Sequence, residues 1–106
     1  MFWFLIETFL KFEFYLKFMK LNTVLEKNPK TIFKSFRNEV VIVNAKKREL
    51  LTLDGVSKFI WDNIDGKKTI SDIIKLGVKK YGVKKEKFLN DFASLVKGLK
   101  GKNLLR

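Results

Sequence analysis

A change of hydrophobic period at Asp54 constrains this chain more than any other feature. Before it, Glu49-Leu50-Leu51-Thr52-Leu53 reads as a strand. After Asp54-Gly55 come three helical periodicities, each restarted by glycine or a capping residue, and the triplet Asn103-Leu104-Leu105 closes the chain as a short terminal strand. Upstream, Thr31-Ile32-Phe33-Lys34-Ser35-Phe36 is β-rich, Arg37-Asn38-Glu39 suits a turn, and Val40-Val41-Ile42-Val43 is a β-branched run fit for a central strand. Residues 44–48 then connect to a third strand at residues 49–52. The expected fold is α+β: a three-stranded antiparallel sheet with one face available to the three helices that follow.

The helices carry their own punctuation. Asp54 is placed to accept hydrogen bonds from the free amides opening residues 56–61, where Val56, Phe59, Ile60 and Ile64 share a broad apolar face and Trp61 is expected in the core. Asp65-Gly66 stops that helix, since glycine permits the left-handed turn. Thr69 and Asp72 form a capping pair for the second helix, whose Ile70, Ile73, Ile74 and Val78 face the first; Gly77 permits close packing and Gly82 ends the segment. The third helix is expected over residues 85–97, with Phe88, Phe92, Leu95, Val96 and Leu99 inward and Lys84, Lys87, Asp91 and Ser94 on a more polar neighbouring face.

Asn28-Pro29 divides the chain into an arm, residues 1–29, and a domain, residues 30–106. Proline pushes its predecessor out of helical geometry, so a helix ending near Glu26 or Lys27 should yield to extended chain at Lys30. In the arm, Leu5, Phe9, Phe12, Leu16 and Met19 fall at helical spacing, and Glu7/Lys11 and Glu13/Lys17 are favourable pairs one turn apart. Phe12, Phe14, Leu16 and Phe18 also keep a strand-like beat, but the charge pairs favour an aromatic helical arm. One helical stripe leaves an aromatic surplus. It calls for a covering surface: the domain, a second subunit in a homodimer through the arm, a partner enzyme or a membrane surface. Charges interrupt the arm well short of the roughly 18–20 apolar residues of a transmembrane span. Its apolar run precedes the positive residues, unlike a signal peptide, so the expected location is the cytoplasm.

Composition removes most chemistry. The 106 residues, 46% of them hydrophobic, suffice for one small core. Absence of cysteine excludes disulfides, thiolate metal sites and thiol nucleophiles, and absence of histidine removes the usual general base; no glycine-rich phosphate loop or paired-carboxylate signature takes their place. No enzyme activity, cofactor or metal is expected. The net charge is +12, and residues 31–106 hold 18 basic and 8 acidic side chains. Such a surface suits an acidic partner, whether a peptide segment, a nucleic acid or an enzyme face, or is simply well solvated.

The wording of the domain is itself informative. Leu53-Asp54-Gly55-Val56-Ser57-Lys58-Phe59-Ile60-Trp61, then Ile64-Asp65-Gly66, Thr69-Ile70, Tyr81-Gly82-Val83 and Phe88, Asp91-Phe92, Leu95-Val96 and Leu99 resemble the family of the coenzyme PQQ synthesis protein PqqD. The resemblance covers about residues 30–105. It implies a non-catalytic, winged-helix-like domain that holds the leader of a ribosomally made precursor peptide while a partner enzyme, often a radical SAM enzyme, modifies the core peptide. Lys84, where an acidic helix cap is expected, and Leu89, where a polar residue is common, depart from the family pattern.

The mechanism that fits is capture by backbone addition. The exposed edge of Glu49, Leu50, Leu51 and Thr52 would pair with an extended peptide, whose side chains enter a groove walled by Lys84, Lys87, Asp91 and Ser94. On the plainer reading, Asp91 only balances Lys87 at the surface and the strand only completes the sheet. The main alternative is a winged-helix DNA-binding protein, favoured by the charge; against it, the third helix has no Arg or Gln, and Asn90 is its one base-reading amide. A structural adaptor is a third reading.

Overall fold

The structure is a computed structural model, and it describes residues 20–106. The aromatic stretch of the arm before Lys20, with the helix and the dimer contact expected of it, lies outside the described residues.

Three strands, β1 (Ile32–Ser35), β2 (Glu39–Asn44) and β3 (Glu49–Asp54), form a sheet in the order β1-β2-β3, and both pairings are antiparallel. Two turns set its register. Around Arg37-Asn38 the Phe36 amide donates to the Glu39 carbonyl at 2.7 Å, and the four-residue loop between β2 and β3 ends on Arg48 with φ 52. Strict alternation follows along β2: Val40, Ile42 and Asn44 are buried, while Val41 and Val43 are half-buried on the outer face. Leu53 continues the buried row on β3; Leu50 and Thr52 lie on the exposed face.

Helices α1 (Gly55–Asn63), α2 (Ile70–Tyr81) and α3 (Lys85–Gly101) cover the inner face. The expected architecture stands, with sharper ends. Thr69 and Asp72 form the predicted capping box, and Gly82 closes α2 in the left-handed conformation at φ 61. Asp54 departs from expectation: it occupies the N-cap of α1 but its side chain makes no capping bond. The reason is that it is also the last residue of β3, opposite Glu39, so strand alternation turns its carboxylate onto the outer face. Helix α3 runs past Lys97 because its two glycines, Gly98 and Gly101, do not stop it. It ends where Asn103 turns left-handed at φ 59, with Leu104 N–H donating to the Leu99 carbonyl and Asn103 N–H to that of Lys100.

Residues 20–28 are not helical. The Thr23 and Leu21 carbonyls accept from the Ile70 and Ser71 amides at 2.9 and 2.8 Å, satisfying donors that the first turn of α2 leaves free. Beyond them, the Glu26 carbonyl accepts from Arg106 N–H and the Leu104 carbonyl from Asn28 N–H, around a β-bridge between Lys27 and Leu105. These tertiary partners, with Leu25 buried in the core, outweigh the local signals for a helix reaching Glu26. The terminal strand expected at residues 103–105 reduces to that bridge.

The core centres on Trp61, Phe88, Phe92, Ile60, Ile64 and Ile73. Phe33 meets the Trp61 ring edge-on at 5.3 Å, and the Lys27 ammonium sits 4.9 Å from the same ring, its pKa lowered by burial. Helices α2 and α3 approach closely because Gly77 has no side chain: a methyl there would overlap the Phe88 ring. Leu89, a departure from the family pattern, is buried beside Phe88, which accounts for an apolar residue there.

Two outcomes test this packing. Trp61→Ala should cost roughly 3–5 kcal/mol and Gly77→Ala about 1–3 kcal/mol, the latter by overpacking, both read from denaturant midpoints. Acid should also destabilise the domain. A hydrogen bond from the Lys68 ammonium, with the Lys67 and Lys68 amides, holds the Asp65 carboxyl well below the usual carboxylate range; the Thr69 amide lowers Asp72. Folded values below unfolded ones mean that the contribution is complete above about pH 4–5 and is lost as pH falls through the folded values. Asp65→Asn should therefore flatten the loss of stability below about pH 4; an unchanged slope would remove this carboxylate from the account.

Candidate functional site

Edge strand β3 pairs with β2 on one side only, and the direction of its backbone groups follows from the turns. The Phe36–Glu39 bond makes Glu39 point its amide and carbonyl at β1, so Val40, Ile42 and Asn44 point theirs at β3. Their partners Leu53, Leu51 and Glu49 are spent in the ladder. The amides and carbonyls of Leu50 and Thr52 then face the open edge, unpaired within the sheet.

Helix α3 lies alongside that edge. Its buried residues Phe88, Leu89, Phe92, Ala93, Val96 and Leu99 define the core side, and Lys84, Lys87, Asp91, Ser94 and Gly98 recur three or four apart along one flank. At one end of β3, Asp54, Gly55, Val56 and Ser57 share an open recess of about 550 Å3 with Asp91, Ser94 and Leu95 of α3. The other end is latched. Lys102, just past α3, donates to Glu49 Oε1 at 2.6 Å, and this bond holds the Glu49 carboxyl below its ordinary pKa. Strand and helix thus run antiparallel: β3 spans about 17 Å at a strand's rise, and residues 91–102 rise by about the same. Between the pinned ends, Gly98 leaves open space where a side chain would stand.

The expected site residues fall into three groups. Asp91 and Ser94 line the recess, and Leu50 and Thr52 carry the free edge, with Leu51 half-buried against the core. Glu49 is occupied by Lys102 and by the ladder. Lys84 accepts the Phe88 amide through its carbonyl at 3.1 Å without a side-chain cap, and it and Lys87 are exposed beyond the strand's end. No direct ion pair joins Lys87 to Asp91. The sequence reading left Asp54, Gly55, Val56, Ser57 and Leu95 out of the site. Their signal was the Asp-Gly junction itself, which puts the start of α1 at the mouth of the groove. Among the described residues no group of three or more acidic side chains could hold a metal ion, and no helix is long and apolar enough to cross a membrane.

A three-stranded sheet backed by three helices, with one open edge beside a helix flank, is a winged-helix-like domain. Residues 39–105 match the family of the coenzyme PQQ synthesis protein D (PqqD), and the chain belongs to that family. The fold is similar to the solved structure of TbiB1 in complex with the TbiA(beta) leader peptide, with a TM-score of 0.69 and 21% sequence identity over 76% of this chain and 94% of that one. Comparison with curated proteins gives no match.

Amide hydrogen exchange checks the backbone parity directly. Leu51 and Leu53 should be protected, while Leu50 and Thr52 exchange at least about tenfold faster. Protection of Leu50 equal to that of Leu51 would place the free edge elsewhere.

Proposed function

We propose that this protein binds the leader segment of a ribosomally made precursor peptide and presents it to a modifying enzyme. The observation that carries the reading is the unpaired backbone of Leu50 and Thr52 beside the open flank of α3. An extended peptide added to this edge gains a donor and an acceptor at each of the two residues, in place of water. Its side chains alternate: one set enters the groove beside Leu51, Leu95, Asp91 and Ser94, and the other lies outside with Leu50 and Thr52. Lys84 and Lys87 form a cationic rim past the strand, and the Glu49–Lys102 latch keeps helix and edge in step.

Family membership supports this reading, and so does the likeness to TbiB1, a protein seen in complex with the TbiA(beta) leader peptide. No bond is made or broken by this chain. Its contribution is to raise the concentration of the peptide at a second active site, and a radical SAM enzyme is the partner class we assign. The aromatic segment before Lys20 is assigned to contact with that enzyme or with a second subunit, in the cytoplasm where the precursor is made.

The test is a titration with a synthetic peptide copying the leader of any short precursor reading frame that sequencing finds beside the gene. Dissociation in the micromolar range or tighter, about −8 kcal/mol, is expected, with only weak, salt-sensitive association to duplex DNA. Leu50→Pro removes an edge amide without touching the ladder to β2, so the variant should fold yet lose binding by at least about tenfold. Asp91→Ala should fold and alter affinity through the groove wall. DNA bound more tightly than the leader would defeat the reading, as would a folded Leu50→Pro protein with unchanged affinity.

A further inference from the structure

The recess that holds Asp91 contains Asp54 as well and no cation, although the chain carries a charge of +12. Besides the Lys84 and Lys87 rim, positive charge gathers across Gly55. There a second recess, of about 580 Å3, lies between the β1–β2 turn and helices α1 and α2. Arg37, Asn38, Lys58, Phe59, Lys80 and Tyr81 line it, and Gly55 lines both recesses. At Gly55 no residue other than its two chain neighbours comes within 4 Å of where a side chain would begin, so the glycine itself adds no barrier between them.

The charges in this second recess are ordered. Asp62 is its one carboxylate and is taken by Lys58 at 2.5 Å, a pair that cancels. Arg37 and Lys80 remain, with no carboxylate partner among the described residues. The Lys80 ammonium is drawn over the rings of Phe59 and Tyr81, 5.0 and 5.6 Å from their centroids, and those rings meet edge-on at 5.5 Å. Asn38 adds its side-chain amide at the rim, while that of Asn63 already donates to the Phe59 carbonyl at 2.8 Å. Two uncompensated cations with an amide donor beside an aromatic pair match carboxylate side chains on an extended chain.

We propose that the peptide groove continues past Asp54, over Gly55, into this cationic recess, which takes an acidic segment of the bound peptide immediately beyond the residues paired with β3. The inference rests on the leader-binding reading and adds a substrate requirement to it: a strand-forming stretch flanked on the Asp54 side by Asp or Glu. A peptide suits the recess better than nucleic acid because it leads directly from a strand edge, and because two free cations are few for a run of phosphates.

Acetylated hexaglutamate is the first probe, followed by amide chemical shifts of the full chain. Shifts should concentrate at Asn38, Gly55 and Lys80. They should vanish in Arg37→Glu, an exposed turn position whose change leaves the core intact, and persist in Leu50→Pro. Shifts centred on the Lys46-Lys47-Arg48 turn, or indifferent to Arg37→Glu, would overturn the assignment. A short DNA duplex giving the same map at lower concentration would reassign the recess to phosphate. Joined to the synthetic leader, on the side that passes Asp54, a Glu-rich flank should tighten binding by about tenfold relative to a Gln-rich one, and Arg37→Glu should erase the gain. A gain below about twofold, with Leu50→Pro still abolishing leader binding, overturns the recess and leaves strand pairing intact. Leader binding that ignores Leu50→Pro overturns strand pairing, and the continuity claim falls with it.

Discussion

The phase of the β2 ladder governs both the core and the open edge. A turn of two residues between Phe36 and Glu39 fixes which β2 residues point their backbone toward β3, while side-chain alternation buries Val40, Ile42 and Asn44. Slipping the register by one residue would expose those side chains, so burial locks the phase. Once locked, it leaves no choice on β3. Leu51 and Leu53 spend their amides on β2, and Leu50 and Thr52 turn theirs outward. The groove's hydrogen-bonding capacity is therefore a by-product of core packing on the neighbouring strand.

An open edge alone invites indiscriminate pairing, which proteins normally block. Here α3 restricts access, and its placement depends on contacts outside the groove. Phe88 seats where Gly77 has no side chain, drawing α3 against α2, and Lys102 ties the far end to Glu49. The flank that remains carries Asp91, Ser94 and Gly98, which are short or absent as side chains. Space for a peptide backbone thus arises from small residues on one flank and large ones on the core side. The latch itself is part-exposed and modest in energy. Its value lies in direction, since it aligns the helix axis with the strand.

Much of this architecture was legible in the sequence because the signals were local. The β-branched run at residues 40–43, the Thr69/Asp72 capping box and Gly82 each specify their conformation through near neighbours, and the structure realises all three. Where tertiary contacts decide, local reading failed. Asp54 looked like a side-chain cap, but strand alternation set its direction first. Residues 20–26 looked like the end of a helix, but α2 and the C-terminal residues recruit their carbonyls. The site divides along the same line. The edge strand and the polar flank of α3 could be named from pattern; which of residues 49–52 face outward could not, because that depends on a turn more than ten residues earlier. Asp54 and Ser57 belonged to the groove only once α1 was placed.

Charge illustrates the limit of composition as a guide. A net charge of +12 suggested an acidic partner, yet the recess beside α3 is lined by Asp54 and Asp91. The two facts describe different length scales. Screening confines a surface charge to about 8–10 Å at physiological salt, so the summed field acts during encounter and has little say over which side chain settles where. Seating is decided by charges within a few ångströms. Asp91 therefore disfavours carboxylates in the groove itself, and on the proposed reading an acidic ligand presents its charge beyond the strand. Arg37 and Lys80 wait in that direction, on the far side of Gly55. On that reading, attraction from the whole surface and repulsion within the groove would act together, selecting the register in which a peptide enters as well as the peptide.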